Sequence, residues 1–406
     1  MTPAGLLLLA AALLPAGCAQ RPRTPDLALT YNRAAGHHGP ERNPIIAIPG
    51  ILGTKLVARD SLRVVWGAFD RGSANPARPE DARLIALPIR AGQSLEGLRD
   101  EVEPAGVLER VRVSLLGIPV DILAYAQILA TLGAGGYRDE SLGLAGAVDY
   151  GPGHFTCFQF GYDWRRDNVE SARQLARFVR EKRDTVRAEY RKRFGVDKPD
   201  LKFDVAAHSM GGLVVRYFLM YGEQDLPEDG SLPELTWEGA RYLERVIIIG
   251  TPNAGAAQAL LDLVNGRNIG PTLPYYRPAL MGTFPSTYQL LPRSRHGAVV
   301  WDGDPSRPVE DVLDAALWER LGWGLAASNE EPALAALMPD VGDVQARRAA
   351  ALDLQRRALL RARQFQAALD RPAPPPPGLE LFLFVGAGEP TPRTISVDSR
   401  SGELSV

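Results

Sequence analysis

The stretch that most constrains this chain is a junction. An apolar run from Leu201 to Ala207 breaks at His208-Ser209-Met210-Gly211-Gly212 and gives way to the helix-like segment Leu213 to Met220. Read as strand, sharp turn and helix, the junction holds the Ser209 hydroxyl in a strained backbone corner at the carboxyl end of a sheet, a nucleophile elbow. Such a corner needs small residues two positions before and two after the serine, and Ala207 and Gly211 stand there. The common pattern is G-x-S-x-G; because the constraint is steric, the single methyl group of Ala207 is the mildest departure from it.

The remainder of the chain supplies matching strands and helices. Ile45–Ile48, Phe155–Phe160, Val246–Ile249 and Leu381–Val385 are short apolar runs of the kind that form buried parallel strands, like Phe203–Ala206 beside the junction. Between 169 and 194, apolar residues at 169, 172, 175, 179, 186 and 190 keep helical spacing with charges elsewhere, which predicts an amphipathic helix covering a sheet. Alternating strands and helices predict an α/β fold with a mostly parallel, doubly wound sheet. Two stretches break the alternation. Residues 57–112 form a proline-rich loop too long for a connector and are expected to be a lid; residues 254–371 combine helical runs with aromatic loops and are expected to be a cap. Pro374-Pro-Pro-Pro-Gly378 then marks the return to the sheet.

Length and composition admit this plan. The chain has 406 residues, 45% hydrophobic and 23% charged, enough for one large domain over 44–406. A formal charge of −2 gives no attraction to nucleic acid. Five histidines and two cysteines show no ligand spacing, so no metal and no cofactor is expected. At the amino end, Leu6–Leu14 is an apolar run too short to span a bilayer, followed by Pro15-Ala16-Gly17-Cys18. Residues 1–17 are expected to be a signal peptide and 18–43 an anchor and tether, with Cys18 acylated as in a bacterial lipobox. That predicts an exported protein, held by lipid on the cell envelope at the outer membrane or in the periplasm, with a membrane surface and a lipid substrate as partners. Cys157 would then have no disulfide partner and be a buried, inert thiol.

A serine hydroxyl is a poor nucleophile at neutral pH; it needs a histidine base, a carboxylate to orient that base, and N–H donors for the oxyanion formed on attack. One donor follows from the junction itself, the amide of Met210; the other is expected from Pro49-Gly-Ile-Leu-Gly53, the loop after an early strand. Four motifs in order, Ile48-Pro-Gly-Ile-Leu-Gly-Thr-Lys-Leu56, Tyr162-Asp-Trp-Arg165, Ala207-His-Ser-Met-Gly-Gly212 and Gly250-Thr-Pro-Asn-Ala-Gly255, together resemble the lecithin:cholesterol acyltransferase family of α/β-hydrolases. Gly386-Ala-Gly-Glu-Pro-Thr-Pro-Arg393 is similar to the segment following that family's seventh strand. The resemblance implies an α/β-hydrolase fold, Ser209 as nucleophile, oxyanion donors at the amides of Leu52 and Met210, and transfer of a fatty acyl group from a glycerolipid to an alcohol or to water.

Other polar residues fit this scheme less directly. Asp163 and Arg165 are expected to form a structural ion pair beside Trp164. His208 adjoins Ser209 and is poorly placed to deprotonate it. His37, His38 and His154 precede the nucleophile, contrary to the order Ser, Asp, His, and His296 falls within the cap. In the family the resemblance points to, the acid lies in a Gly-Asp-Gly-Thr-like motif after the seventh strand and the histidine lies beyond it. Asp398 comes a little early, and the sequence stops at Val406. The expectation is therefore a truncated catalytic domain with little hydrolytic activity, since loss of a triad member costs about three to six orders of magnitude. The alternatives are an esterase for soluble esters and a lipoprotein that binds lipid without turnover.

Overall fold

Five strands pair side by side, all in parallel: β1 (Ile45–Ile48), β2 (Cys157–Gln159), β3 (Phe203–His208), β4 (Leu243–Ile249) and β5 (Glu380–Phe384), in the spatial order β5-β4-β3-β1-β2. The computed structural model describes residues 39–406 apart from 71, 116–117, 124, 143–153, 270–272 and 389–390. Cys18, the stretch 1–17 expected to be a signal peptide and most of the expected tether lie outside the described residues. From β1 the chain moves to one side to place β2, then returns to the other side for β3, so the winding reverses between β1 and β3. Loops at such a reversal diverge and leave a crevice at the carboxyl ends of the strands.

Both faces of the sheet are covered, as a parallel sheet requires. Ile45, Ala47, Cys157 and Ala206 point to one face and pack against Leu129 and Leu132 of the helix Ala126–Ala134. The alternate residues Ile46, Ile48, Phe158, Val205 and Ala207 enter the main core. Helices α1 (Asn168–Phe194) and α2 (Met210–Tyr221) contribute Val169, Ala172, Leu175, Val179, Val186 and Tyr190 from one, and Leu213, Val214, Tyr217 and Phe218 from the other. The Asp167 carboxylate caps α1 by accepting from the Val169 amide at 3.0 Å, and Gly195, at φ 67°, ends it. The result is a mostly parallel, doubly wound α/β-hydrolase-like architecture. Burial pushes the Cys157 thiol well above its ordinary range, in keeping with an inert core residue.

The described part of 57–112 is built around a small antiparallel sheet, Thr54–Ala58 with Val64–Trp66 and Val102–Val107, and the helix Pro79–Ile85. Two arginines hold this segment against the sheet. Arg165, fully buried, donates to Asp163, to Asp100 at 2.7 Å and to the Ile85 carbonyl at 2.8 Å; Arg166 donates to the Leu98 carbonyl at 2.7 Å. Within 254–371 the longest element is α3 (Val344–Leu369), whose Ala358, Leu359, Ala362 and Phe365 join the main core. Three short strands, Val299–Trp301, Ile395–Val397 and Leu404–Ser405, tie the last residues back onto this region. Among the described residues no helix is long and apolar enough to cross a membrane, and no group of three His, Cys, Asp or Glu side chains could hold a metal ion.

Candidate active site

Ser209 sits between β3 and α2 with φ 51° and ψ −126°, a conformation an L-residue occupies only when its surroundings enforce it. The enforcement is visible on both sides. Its amide donates to the Ile249 carbonyl at 2.8 Å and its carbonyl accepts from Gly212 at 3.0 Å. The glycines that follow are spatial necessities. A β-carbon on Gly211 would stand 2.4 Å from the Pro49 carbonyl oxygen, and one on Gly212 would stand 2.0 Å from the Thr251 hydroxyl. Ala207, two positions before the serine, is fully buried, so the elbow accommodates its methyl group within the core.

The loop after β1 meets this corner directly. A β-carbon on Gly50 would lie 2.6 Å from Ser209 Cβ and 3.1 Å from its Oγ, so only glycine lets the two backbones come this close. Leu52 is left-handed at φ 64°, the second strained non-glycine residue at the site. The Trp66 indole donates to the Leu52 carbonyl at 2.7 Å, and the Leu108 amide donates to the Gly53 carbonyl at 2.8 Å. The amides of Leu52 and Met210 have no acceptor among the described residues; Met210, first in its helix, has no preceding turn to bond. The structure thus brings Ser209, Met210 and the Leu52 loop together.

No imidazole among the described residues joins them. The Ser209 hydroxyl makes no hydrogen bond among the described residues. His208 Nδ1 faces away to the Tyr125 hydroxyl at 2.8 Å, and burial pulls its pKa down, favouring the neutral ring. His296 lies exposed on the short turn Ser294–His296; His154 is buried against Phe194. Asp398 is solvent-exposed, where it accepts from the Arg400 and Ser401 amides in a local turn. Asp163 and Arg165 form the buried pair described above and do not reach the serine.

Sequence reasoning missed Tyr125. Its hydroxyl accepts from the Gly50 amide at 2.7 Å as well as meeting His208. Nothing in the local pattern around residue 125 marks it, because its role depends on a fold-level return of the chain from the 110–123 region to the first loop.

Against known proteins, residues 147–321 match the family model of lecithin:cholesterol acyltransferase, a span that holds β2, α1, the Ser209 corner and β4. Residues 147–321 are thus similar to a lecithin:cholesterol acyltransferase domain. The Tyr162–Arg165, Ala207–Gly212 and Gly250–Gly255 motifs fall inside the matched span, and the Leu52 loop that meets the Ser209 corner comes from the chain before it. A putative phospholipid:diacylglycerol acyltransferase 2 of Arabidopsis thaliana is 24% identical over 335 residues, which cover 76% of this chain and 45% of that relative. The chain therefore spans less than half the length of the curated relative it matches. Among solved structures, the crystal structure of the Tle4–Tli4 complex aligns with 80% of this chain and 72% of its own, at 19% identity and a TM-score of 0.48.

Proposed function

We propose that this chain performs serine-dependent acyl transfer on glycerolipid acyl esters, as an O-acyltransferase or lipase. Ser209 Oγ attacks the acyl carbonyl, and the negative charge gathering on the carbonyl oxygen is met by the Leu52 and Met210 amides. The carbon–oxygen bond to the glycerolipid breaks, and the departing alcohol takes up the proton lost by the serine. The acyl group on Ser209 then passes to an acceptor hydroxyl or to water, which returns a proton to the serine oxygen. The observation that supports this most is the strained φ and ψ of Ser209, held against Gly50 at the winding reversal of the sheet. The family match and the acyltransferase relative favour lipid esters over soluble ones. On this reading Cys18 carries the lipid that keeps the protein at the envelope, and a Cys18→Ser change should move it to the soluble fraction.

The Ser209 hydroxyl has no histidine partner among the described residues, and this observation favours the second reading, a lipid-binding protein without turnover. An alkyl fluorophosphonate separates the two. We expect it to label the chain at Ser209, to label Ser209→Ala not at all, and to react faster when free imidazole supplies a base from solution. A chain that stays unlabelled at saturating imidazole, while still folded, would establish the binding protein instead.

A further inference from the structure

We infer that Tyr125 is a positioning residue for the oxyanion-binding loop, acting through Gly50 and anchored on His208; the inference rests on the acyl-transfer reading of Ser209. The Pro49–Gly53 loop carries the Leu52 amide, and Leu52 is held in a left-handed conformation that relaxes unless neighbours fix it. Trp66 holds its carbonyl from one side. On the other, the Tyr125 hydroxyl takes the Gly50 amide at 2.7 Å, and its ring lies so close to Gly53 that a β-carbon there would stand 2.7 Å from Tyr125 Cε2 and 2.8 Å from Oη. The phenol is therefore seated at both ends of the turn closed by the Gly53 amide on the Gly50 carbonyl at 3.1 Å.

His208 fixes the phenol in turn. On this inference the phenol, which accepts from Gly50, gives its own proton to His208 Nδ1, 2.8 Å away, and the neutral imidazole carries its hydrogen on Nε2. The rings meet edge to face, with centroids 5.6 Å apart. Burial keeps the phenol protonated and the imidazole neutral, the forms this arrangement uses. His208 ends β3 one residue before Ser209, so the clamp ties the loop to the same strand that presents the nucleophile. Engaging the Gly50 amide also removes it as a competing donor and leaves the Leu52 amide to face the substrate oxygen. His208 is thereby assigned a place next to the nucleophile that needs no proton transfer.

The test is the rate of fluorophosphonate labelling of Ser209 in the full chain, with imidazole present, for Tyr125→Phe, His208→Leu and the double variant. Tyr125→Phe should lower the limiting labelling rate about tenfold or more, because donors displaced by a fraction of an ångström lose much of their effect on the developing charge. The concentration of probe giving half that rate should change little, since the alkyl chain is not touched. His208→Leu should give a similar loss, and the double variant no more than either alone, the signature of groups acting as one unit. Thermal melts of each variant exclude loss of fold as the cause. Equal labelling of the parent and a folded Tyr125→Phe overturns the positioning role, as does an additive double variant. An unlabelled parent at saturating imidazole sinks the acyl-transfer reading first and takes the positioning role with it, a result distinct from the other two.

Discussion

Two strands of one sheet meet opposite fates. β3 and β5 are both short, apolar and parallel to β4, and both hydrogen-bond to it, the β3 pairing with one register shift between Leu243 and Val246. Yet β3 is buried along its length up to His208, while every residue of β5 is exposed, and Leu381 to Val385 show between 42% and 75% of their surfaces. The difference is one of neighbours. β3 has a strand on each side and helices on both faces; β5 has one strand and, on its outer edge, none among the described residues. Only the first position can hold strain. A serine at φ 51° persists where β4, the Gly50 loop and Gly212 all oppose its relaxation, each through a contact that a relaxed backbone would lose. Strained geometry belongs at the centre of the sheet because the centre can store it.

The sharpest way to break the contrast is to loosen the centre from a distance. Arg165→Met removes the guanidinium that neutralises Asp163 and Asp100 and that bonds the Ile85 carbonyl. Two carboxylates would remain against the core without a cation, and breaking a buried pair in this way costs about 3–5 kcal/mol. A urea titration should show the midpoint falling sharply; an unchanged midpoint would mean the pair does not carry the packing of 84–100 against the sheet. Next in size is Gly211→Ala. The added methyl group must displace the Pro49 carbonyl, and overpacking of this kind costs about 1–3 kcal/mol. Because that carbonyl belongs to the loop against Ser209, labelling by a fluorophosphonate should fall further than stability does. Labelling that merely tracks the folded fraction would show that the elbow tolerates a shift of the loop.

How much of this was legible beforehand follows the same division. The five strands, helix α1 and the position of the serine corner could be read from local pattern, since each is set by residues close in sequence: apolar runs bounded by Gly and Pro, a helical period from 169 to 190, small residues around Ser209. The Leu52 loop was readable as a turn with glycines. What local pattern does not carry is contact across the fold. Trp66 and Tyr125 hold that loop from 14 and 75 residues away in the chain, and their role exists only once the strands have been ordered. The three-stranded sheet that gathers Val299–Trp301, Ile395–Val397 and Leu404–Ser405 was missed for the same reason, its strands being two or three residues long and distant in sequence. The exposure of β5 was invisible as well, because Leu-Phe-Leu-Phe-Val reads as core in any sequence and only the count of neighbouring strands shows otherwise.

The smallest expected effect sharpens the comparison most. Leu383→Lys places a charge on a side chain that is 61% exposed, in a strand with one edge unpaired among the described residues. Surface substitutions of this type change stability by within about 0.5 kcal/mol, so the melting curve should scarcely move. Its consequence should lie elsewhere: an open apolar edge is a template for pairing with other chains, and an outward lysine is the common means of blocking it. Light scattering across a concentration series should show the parent associating and Leu383→Lys associating less. The matching change at the centre, Val205→Lys, puts the same charge on a fully buried side chain of β3 and should leave no folded protein to titrate. If Leu383→Lys instead destabilised the chain by several kcal/mol, the side chain would have to be packed in solution, and β5 would be as central as β3.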